Sequence, residues 1–231
     1  MASVDARGLS LREVNSAIRA GLTADGEVLV TNSESRHNLA VGLNQPGRVT
    51  IDGNVGYYCG GMLKLADIEV TGNAGWSVAS DMQSGSVVVR GNASAAAGAA
   101  IRGGTLVVHG NTGPRTGISQ KGGTIVIGGS VDYMSGFVNQ RGVMIVCGNT
   151  GEAFADSIYE GRMFVRGQVA DFGNGAKFDD LDERDAAELT ELLDRYEVAG
   201  VPEAAEFRKI VSDKRLYNFN KRDFRIWRTA L

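Results

Sequence analysis

Two histidines and two cysteines are the side chains in this sequence best suited to nucleophilic or metal chemistry. His37 and His109 have no cysteine or second histidine at the spacing of a zinc site. Cys59 and Cys147 have no histidine at a spacing that pairs with a thiolate nucleophile. Neither a GxxxxGK(S/T) phosphate loop nor a GxGxxG dinucleotide motif occurs. We therefore expect no catalytic, cofactor-binding or metal-binding residue in this chain.

Acid–base chemistry would need carboxylates, or carboxylates beside Arg or Lys, on neighbouring turns of the chain. Seven residues that recur every 19 positions offer the best arrangement, and no two carboxylates follow each other among them. That column reads Asp52, Thr71, Arg90, His109, Gly128, Cys147 and Arg166. We interpret its charged members as a solvated or docking face, and a stand-alone carbohydrate-active enzyme stays only a lesser alternative.

The interval of 19 residues governs most of the sequence. Glycine occupies seven anchor positions at this step, and a second glycine-rich column lies six residues before each anchor. The residue after each anchor is polar, and in most copies it is asparagine. The anchors are Gly53, Gly72, Gly91, Gly110, Gly129, Gly148 and Gly167.

Apolar residues stand two and four positions before every anchor, as Val87 and Val89 do before Gly91. Positions two residues apart share one face of a strand. A 19-residue unit is too short for a helical pair, and its apolar face is buried only by stacking on its neighbours. The sequence therefore predicts an all-β fold, a right-handed parallel β-helix of seven to eight coils. Residues 26–32 resemble a further coil, offset by 21 residues, and the asparagine amides are expected to hydrogen-bond along the axis.

Segments without the repeat flank the predicted β-helix, which we place at 26–178. Residues 1–25 form a helical lead-in, where Ser10 and Glu13 make a capping box that opens a helix to about Arg19.

The C-terminal segment, 179–231, is predicted to hold two helices and a docking tail. The first helix runs from the acidic stretch to about Glu197, and the second begins at Pro202 and ends near Asp213. Because the terminal repeats of a solenoid need covering, we expect these helices to cap the rod.

The tail, 214–231, carries six basic side chains against one acidic side chain, interleaved with aromatic ones. Exposed aromatic and arginine side chains are typical anchors of protein interfaces. We therefore expect the tail to dock onto a partner subunit through Phe224, Arg225 and Trp227. The alternative is that it folds back along the rod and covers a coil. Binding of single-stranded nucleic acid is disfavoured, because the basic stretch is short and the protein is acidic.

Composition sets further bounds on the class of protein. A hydrophobic content of 43% with a net charge of −3 excludes a disordered chain and gives no electrostatic argument for nucleic acid. Two cysteines cannot build a disulfide framework. Neither a signal peptide nor a run of 18 apolar residues is present. We expect a cytoplasmic protein that does not enter a membrane.

The coils resemble a known family through units such as GRVTIDGNVG, GTLVVHGNTG and KGGTIVIGG. They are similar to the GXGXG domain, the right-handed parallel β-helix at the C-terminal end of the glutamate synthase large subunit. The likeness spans about residues 26–175 and continues more weakly into PEAAEFRKIVSDKRLYNF. Among free-standing chains it resembles the GXGXG subunit of N-methylglutamate synthase. A second branch with such coils is the C subunit of formylmethanofuran dehydrogenase and of the bacterial formyltransferase/hydrolase complex, and it stays an alternative.

The resemblance implies a scaffold rather than a catalyst. In the family, FMN and an iron–sulfur cluster belong to a synthase-like subunit, and an amidotransferase-like subunit uses an N-terminal cysteine as its nucleophile. This sequence begins Met1-Ala2-Ser3 and holds no cysteine triplet for a cluster. The resemblance thus implies a hetero-oligomer with class II amidotransferase-like and FMN-binding synthase-like subunits. Such a complex would convert methylamine and L-glutamate to N-methylglutamate and ammonia.

Overall fold

The apolar columns of the repeat form the strands of one long sheet. A computed structural model describes residues 1–214, and in it the chain is the parallel β-helix that the repeat predicts. The strands are β1 Ala2–Asp5, β2 Glu27–Thr31, β3 Gly47–Ile51, β4 Ala66–Val70, β5 Ser86–Val89, β6 Thr105–Val108, β7 Lys121–Ile127, β8 Arg141–Val146, β9 Arg162–Val165, β10 Ala176–Asp179 and β11 Arg208–Ser212. Strands β1 to β9 pair in parallel and in chain order, and β11 lies antiparallel between β9 and β10.

The register of the sheet follows the interval of 19 residues. Ile68 pairs with Val87, and Val87 pairs with Leu106. The residues two and four positions before each anchor point into the coil and are buried, as Val87 and Val89 show. The coil at 26–32 is confirmed too, because Val28 pairs with Val49 at the predicted offset of 21.

The asparagine column forms a ladder, although its main bond differs from the one expected. The backbone N–H of Asn92 donates to Oδ1 of Asn73 at 2.8 Å, and the N–H of Asn111 donates to Oδ1 of Asn92 at the same distance. The amide-to-amide bond is secondary, with Nδ2 of Asn92 at 3.4 Å from Oδ1 of Asn73. Each side chain therefore accepts the backbone N–H of the next coil, which no strand partner satisfies at this corner.

The seventh residue after each anchor turns the chain back towards the core. Gly117 has a φ of +67°, and a Cβ there would overlap the terminal methyl group of Met144. Ala79 and Ala155 hold the same left-handed conformation with φ of 57° and 58°. The small residues of this column are thus required by backbone conformation and by close approach of the core.

Helix α1, Leu11–Asp25, caps the N-terminal end of the rod. The capping box at Ser10 is confirmed, but the helix passes the predicted end at Arg19 and stops at Gly26, whose φ is 71°. Its buried face packs on the first coils through Val14, Ile18, Gly21 and Leu22. Strand β1 was not predicted; it lies in the part of the chain assigned to a helical lead-in.

Helix α2, Glu183–Tyr196, is confirmed as a helix but not as a cap of the rod. Leu189 and Leu193 pack on the outward face of strands β6 to β9, where they form a second core with Val198 and Phe207. This position has a physical reason: β6 to β9 carry apolar residues on their outward face as well. These outward residues are Val107, Val126, Val143, Ile145, Cys147 and Phe164.

The prediction of a second C-terminal helix, from Pro202 to about Asp213, is wrong. That stretch holds a short 3-10 turn at Ala204–Glu206 and then strand β11. The unpaired edge of β9 favours a strand in this stretch. A strand can pair with the backbone N–H and C=O groups of that edge, whereas a helix cannot. Ile210 of β11 is fully buried in the main core opposite Met163.

A charge placed inside the coils tests this packing. We expect Val108→Asp to prevent folding, because an unpaired buried carboxylate costs several kcal/mol, which is comparable to the whole stability of a domain. Val88→Asp is the matched control, since Val88 is half-buried on the outward face of β5. Thermal unfolding followed by circular dichroism compares the two. An unchanged melting temperature for Val108→Asp would contradict the inward orientation of this column.

Candidate interaction surfaces

Both histidines make structural contacts. The His37 ring stacks on Tyr57 with 3.5 Å between ring centroids, and its Nδ1 accepts the backbone N–H of Tyr57 at 3.2 Å. Arg90 places a guanidinium nitrogen 3.1 Å from Nε2 of His109 and also pairs with Glu69 at 2.7 Å. Burial lowers the pKa of His109, and the charge of Arg90 lowers it further. His109 is therefore neutral at pH 7 and accepts a hydrogen bond from Arg90.

The two cysteines are buried thiols. Burial raises the pKa of Cys59 to about 12. Burial also raises the pKa of Cys147 to about 12, against a small opposing effect of Arg166. Cys147 does lie in the outward column, as expected, but the C-terminal segment covers it. Both thiols are therefore protonated at neutral pH, and neither is an activated nucleophile.

Residues 1–214 hold neither a cluster of the metal-binding type nor a helix suited to span a membrane. No group of three or more His, Cys, Asp or Glu side chains is arranged to hold a metal ion. Among these same residues, no helix has the length and apolar character needed to cross a membrane.

An ionic cluster fastens the C-terminal segment to the last coils. Asp185 of α2 is buried and accepts from Arg162 of β9 at 2.5 Å and from Lys209 of β11 at 2.7 Å. Arg162 also binds Glu188 at 2.6 Å. Burial alone would raise the pKa of Asp185, but the bonds from Lys209 and Arg162 outweigh it and lower the pKa below the usual value. The cluster thus connects one helix and two strands.

The uncovered half of the outward strand face forms a polar groove of about 560 Å³. It lies over β3 to β6 and ends where the last turn of α2 begins. One ion pair lies within its wall, where Glu69 binds Arg90, and Asp67 accepts from the Ser86 hydroxyl at 2.6 Å. Arg166, further along, binds Glu206 at 2.7 Å. Arg90 and Arg166 are the members of the outward column in these pairs, and the interpretation of that column as a solvated or docking face stays a prediction.

A second lateral face is apolar, and we call it the turn face. It consists of the fourth, fifth, eighth and ninth residues after the anchors Gly53 to Gly129. Its most exposed members are Trp76, at 64% of its surface, Tyr57 at 48%, Tyr133 at 46% and Met62 at 45%. In these five coils the face carries only two charged residues, Asp81 and Arg115.

The turns that carry this face are stacked as regularly as the strands. The N–H of Tyr58 donates to the carbonyl of Trp76 at 2.7 Å, and the N–H of Arg115 donates to the carbonyl of Tyr133 at 2.8 Å. Sequence analysis missed the turn face. Its signal was present in the fourth column after the anchors, which reads Tyr57, Trp76, Ala95, Pro114 and Tyr133.

The docking residues predicted in the tail, Phe224, Arg225 and Trp227, lie outside the described residues, and their docking stays a prediction. The described chain ends beside the last coil, where the N–H of Asp213 donates to the carbonyl of Gly175 at 2.9 Å. Gly175 directly precedes β10, so this bond extends the pairing of β10 with β11 at the C-terminal end of the sheet.

Fold and surfaces together define a glycine-anchored parallel β-helix. One lateral face is half covered by the chain's own C-terminal segment, and another is apolar and uncovered among residues 1–214. No protein-family model matches the chain. It is 45% identical over 223 residues to protein GlxC of Rhizobium meliloti (strain 1021), and the alignment covers 95% of this chain and 97% of that protein. The chain belongs to the GlxC family.

Neutralising Asp185 tests the ionic cluster. Asp185→Asn should lower the free energy of unfolding by about 3 kcal/mol at pH 7, because it leaves Arg162 and Lys209 with fewer counter-charges in a buried place. Since the pKa of Asp185 is lowered by folding, its stabilisation is complete above the unfolded value of 3.8 and is lost as the pH falls below it.

The difference between wild type and Asp185→Asn should therefore shrink as the pH falls from 4 to 2. Denaturant unfolding at several pH values measures it, and Glu191→Gln on the exposed side of α2 is the matched control. A difference that stays constant across this range would contradict the assignment.

Proposed function

We propose that this chain is a non-catalytic scaffold subunit of a heteromeric glutamate-synthase-like complex, most specifically of the N-methylglutamate synthase type. The complex joins methylamine to L-glutamate and releases ammonia. A class II amidotransferase-like subunit and a synthase-like subunit with FMN and an iron–sulfur cluster carry the chemistry. This chain holds both in a fixed relation, as a cytoplasmic hetero-oligomer.

The observation that carries the proposal is the pairing of GXGXG-type coils with an apolar lateral face that no described residue covers. The coils resemble the β-helix domain of glutamate synthase. Relatedness to GlxC over nearly the whole of both chains supports a free-standing subunit of this kind. The exposed turn face supports contact with other proteins, because monomers rarely expose large apolar patches.

The donor set of this chain does not fit an iron–sulfur cluster. Such a cluster takes several thiolates that converge on it. Cys59 and Cys147 are the only cysteines in the sequence, and both are buried thiols in separate core clusters. In the proposed complex the cluster therefore belongs to another subunit, and no reaction step is assigned to this chain.

Purification of the tagged full-length chain from its source organism tests the function. We expect two subunits to co-purify in fixed stoichiometry, with flavin absorbance, and the complex to form N-methylglutamate from methylamine and L-glutamate. The isolated chain should show neither. Flavin and turnover in the isolated chain would refute the scaffold, and formyltransferase-type partners would assign the alternative complex.

The tail provides a second test of the same function. We expect the double variant Phe224→Ala/Trp227→Ala to weaken binding of the partner subunits at least tenfold, because interface aromatics carry much of the binding energy. The melting temperature of the isolated chain should stay unchanged, and Thr229→Ala is the control within the tail. A large drop in that melting temperature would show instead that the tail packs on its own rod.

A further inference from the structure

The turn face has the chemistry of an interface and no partner among residues 1–214. Trp76 exposes 64% of its surface, although a tryptophan in a monomer is usually highly buried. Tyr57 and Tyr133 add two further aromatic side chains in the same column, one and three coils away from Trp76. Aromatic side chains of this kind supply most of the affinity at protein interfaces.

The area of the turn face favours a protein partner over a small ligand. Five coils spaced by about 4.8 Å make the face about 24 Å long, and the positions from the fourth to the ninth residue make it about 15 Å wide. The flat area, about 360 Å², is close to half of the roughly 800 Å² that one side of a standard interface buries. That share suits the apolar centre of an interface with a polar rim.

The coil anchored at Gly91 carries the smallest side chains of the turn face. Its outward residues are all alanine, at positions 95, 96, 99 and 100. The coils on both sides carry larger side chains, including Trp76 and Ile118. The Gly91 coil therefore forms a shallow depression across the face, between the coils that carry Trp76 and Ile118.

Acidic residues at one end of the turn face indicate the charge that a partner should carry there. Four carboxylates border the C-terminal end of the face: Asp132, Glu152, Asp156 and Asp171. None of them makes an ion pair with another described residue. Complementary charge across an interface speeds association and fixes orientation, so a partner with basic residues at this edge matches the face.

We propose that the turn face is the docking surface of a folded partner subunit whose contacting surface is apolar at its centre and basic at one edge. The proposal rests on the proposed function for the identity of that subunit, the FMN-binding synthase-like one. Two other occupants are the chain's own segment 215–231, which follows the described residues in the sequence, and a second copy of the chain.

The test compares variants of the tagged full-length chain in the native complex. Trp76→Glu/Tyr133→Glu should raise the dissociation constant of the partner about 100-fold or more. Leu65→Glu is the matched control, because Leu65 is equally apolar and 54% exposed but lies outside the turn face. It should change binding less than threefold, and all variants should keep the wild-type melting temperature. Glu152→Lys should weaken binding severalfold, and added salt should reduce this effect.

The possible outcomes distinguish failure of the proposed docking surface from failure of the proposed function. A synthase-like subunit that binds wild type and double variant equally refutes the surface and leaves the function standing. A different stoichiometric partner, lost only in the double variant, supports the surface and refutes the function. A wild-type chain without any stoichiometric partner refutes both.

A second measurement on the isolated chain excludes the other occupants. The sequence has two tryptophans, and subtracting the signal of Trp76→Phe from that of the wild type isolates Trp76 while the tail stays intact; acrylamide quenching then reports its exposure. We expect Trp76 to be fully accessible in a monomer and protected when the partner is added. Protection in the isolated monomer would assign the face to the chain's own tail, and protection in a dimer would assign it to a second copy; either result overturns the proposal.

Discussion

Hydrogen bonding between consecutive coils is the constraint on which the rest of the structure depends. Around each coil, backbone groups bond to partners about 19 residues away. The N–H of Gly117 donates to the carbonyl of Ala97 at 2.8 Å, and the N–H of Asn111 donates to Oδ1 of Asn92. A coil of a different length stays paired only where its turn absorbs the extra residues, as in the first coil with its offset of 21; elsewhere each buried group left unpaired would cost about 1–3 kcal/mol. Constant length then keeps equivalent positions in line, so each column of the sequence becomes a surface with one chemical character.

The same constraint stabilises unfavourable backbone in the turns. Tyr58, Arg115 and Met134 occupy the left-handed region with φ between 54° and 62°, which costs about 1–2 kcal/mol for a residue that is not glycine. Bonds to the next coil offset this cost, and the N–H of Met134 donates to the carbonyl of Glu152 at 2.9 Å. Because the turns are held on both sides, the turn face is ordered before any partner arrives. A partner therefore binds without the entropy loss of ordering a loop.

Sequence reasoning succeeded where the repeat carries the information and failed where tertiary contacts decide. The coils, the buried columns and the capping box at Ser10 follow from local patterns. Strand β11 does not, because its place is set by the open edge of β9 rather than by its own propensity. The site of α2 had a signal in the third column before the anchors, where Thr50 and Glu69 give way to apolar residues. The turn face escapes the repeat pattern because its fourth column keeps no constant residue type and is aromatic only at Tyr57, Trp76 and Tyr133. The docking residues predicted in the tail lie outside the described residues.

The two lateral faces of the β-helix differ in how their apolar residues are covered. On the strand face the apolar half is covered by Leu189, Leu193 and Phe207 of the same chain, and Asp185 holds this cover in place by charge. The turn face has no such cover among residues 1–214. Since the two faces lie on different sides of the same stacked coils, occupation of one leaves the other accessible. A rod of this construction can fix the distance between two bound subunits, which is the property that the proposed scaffold requires.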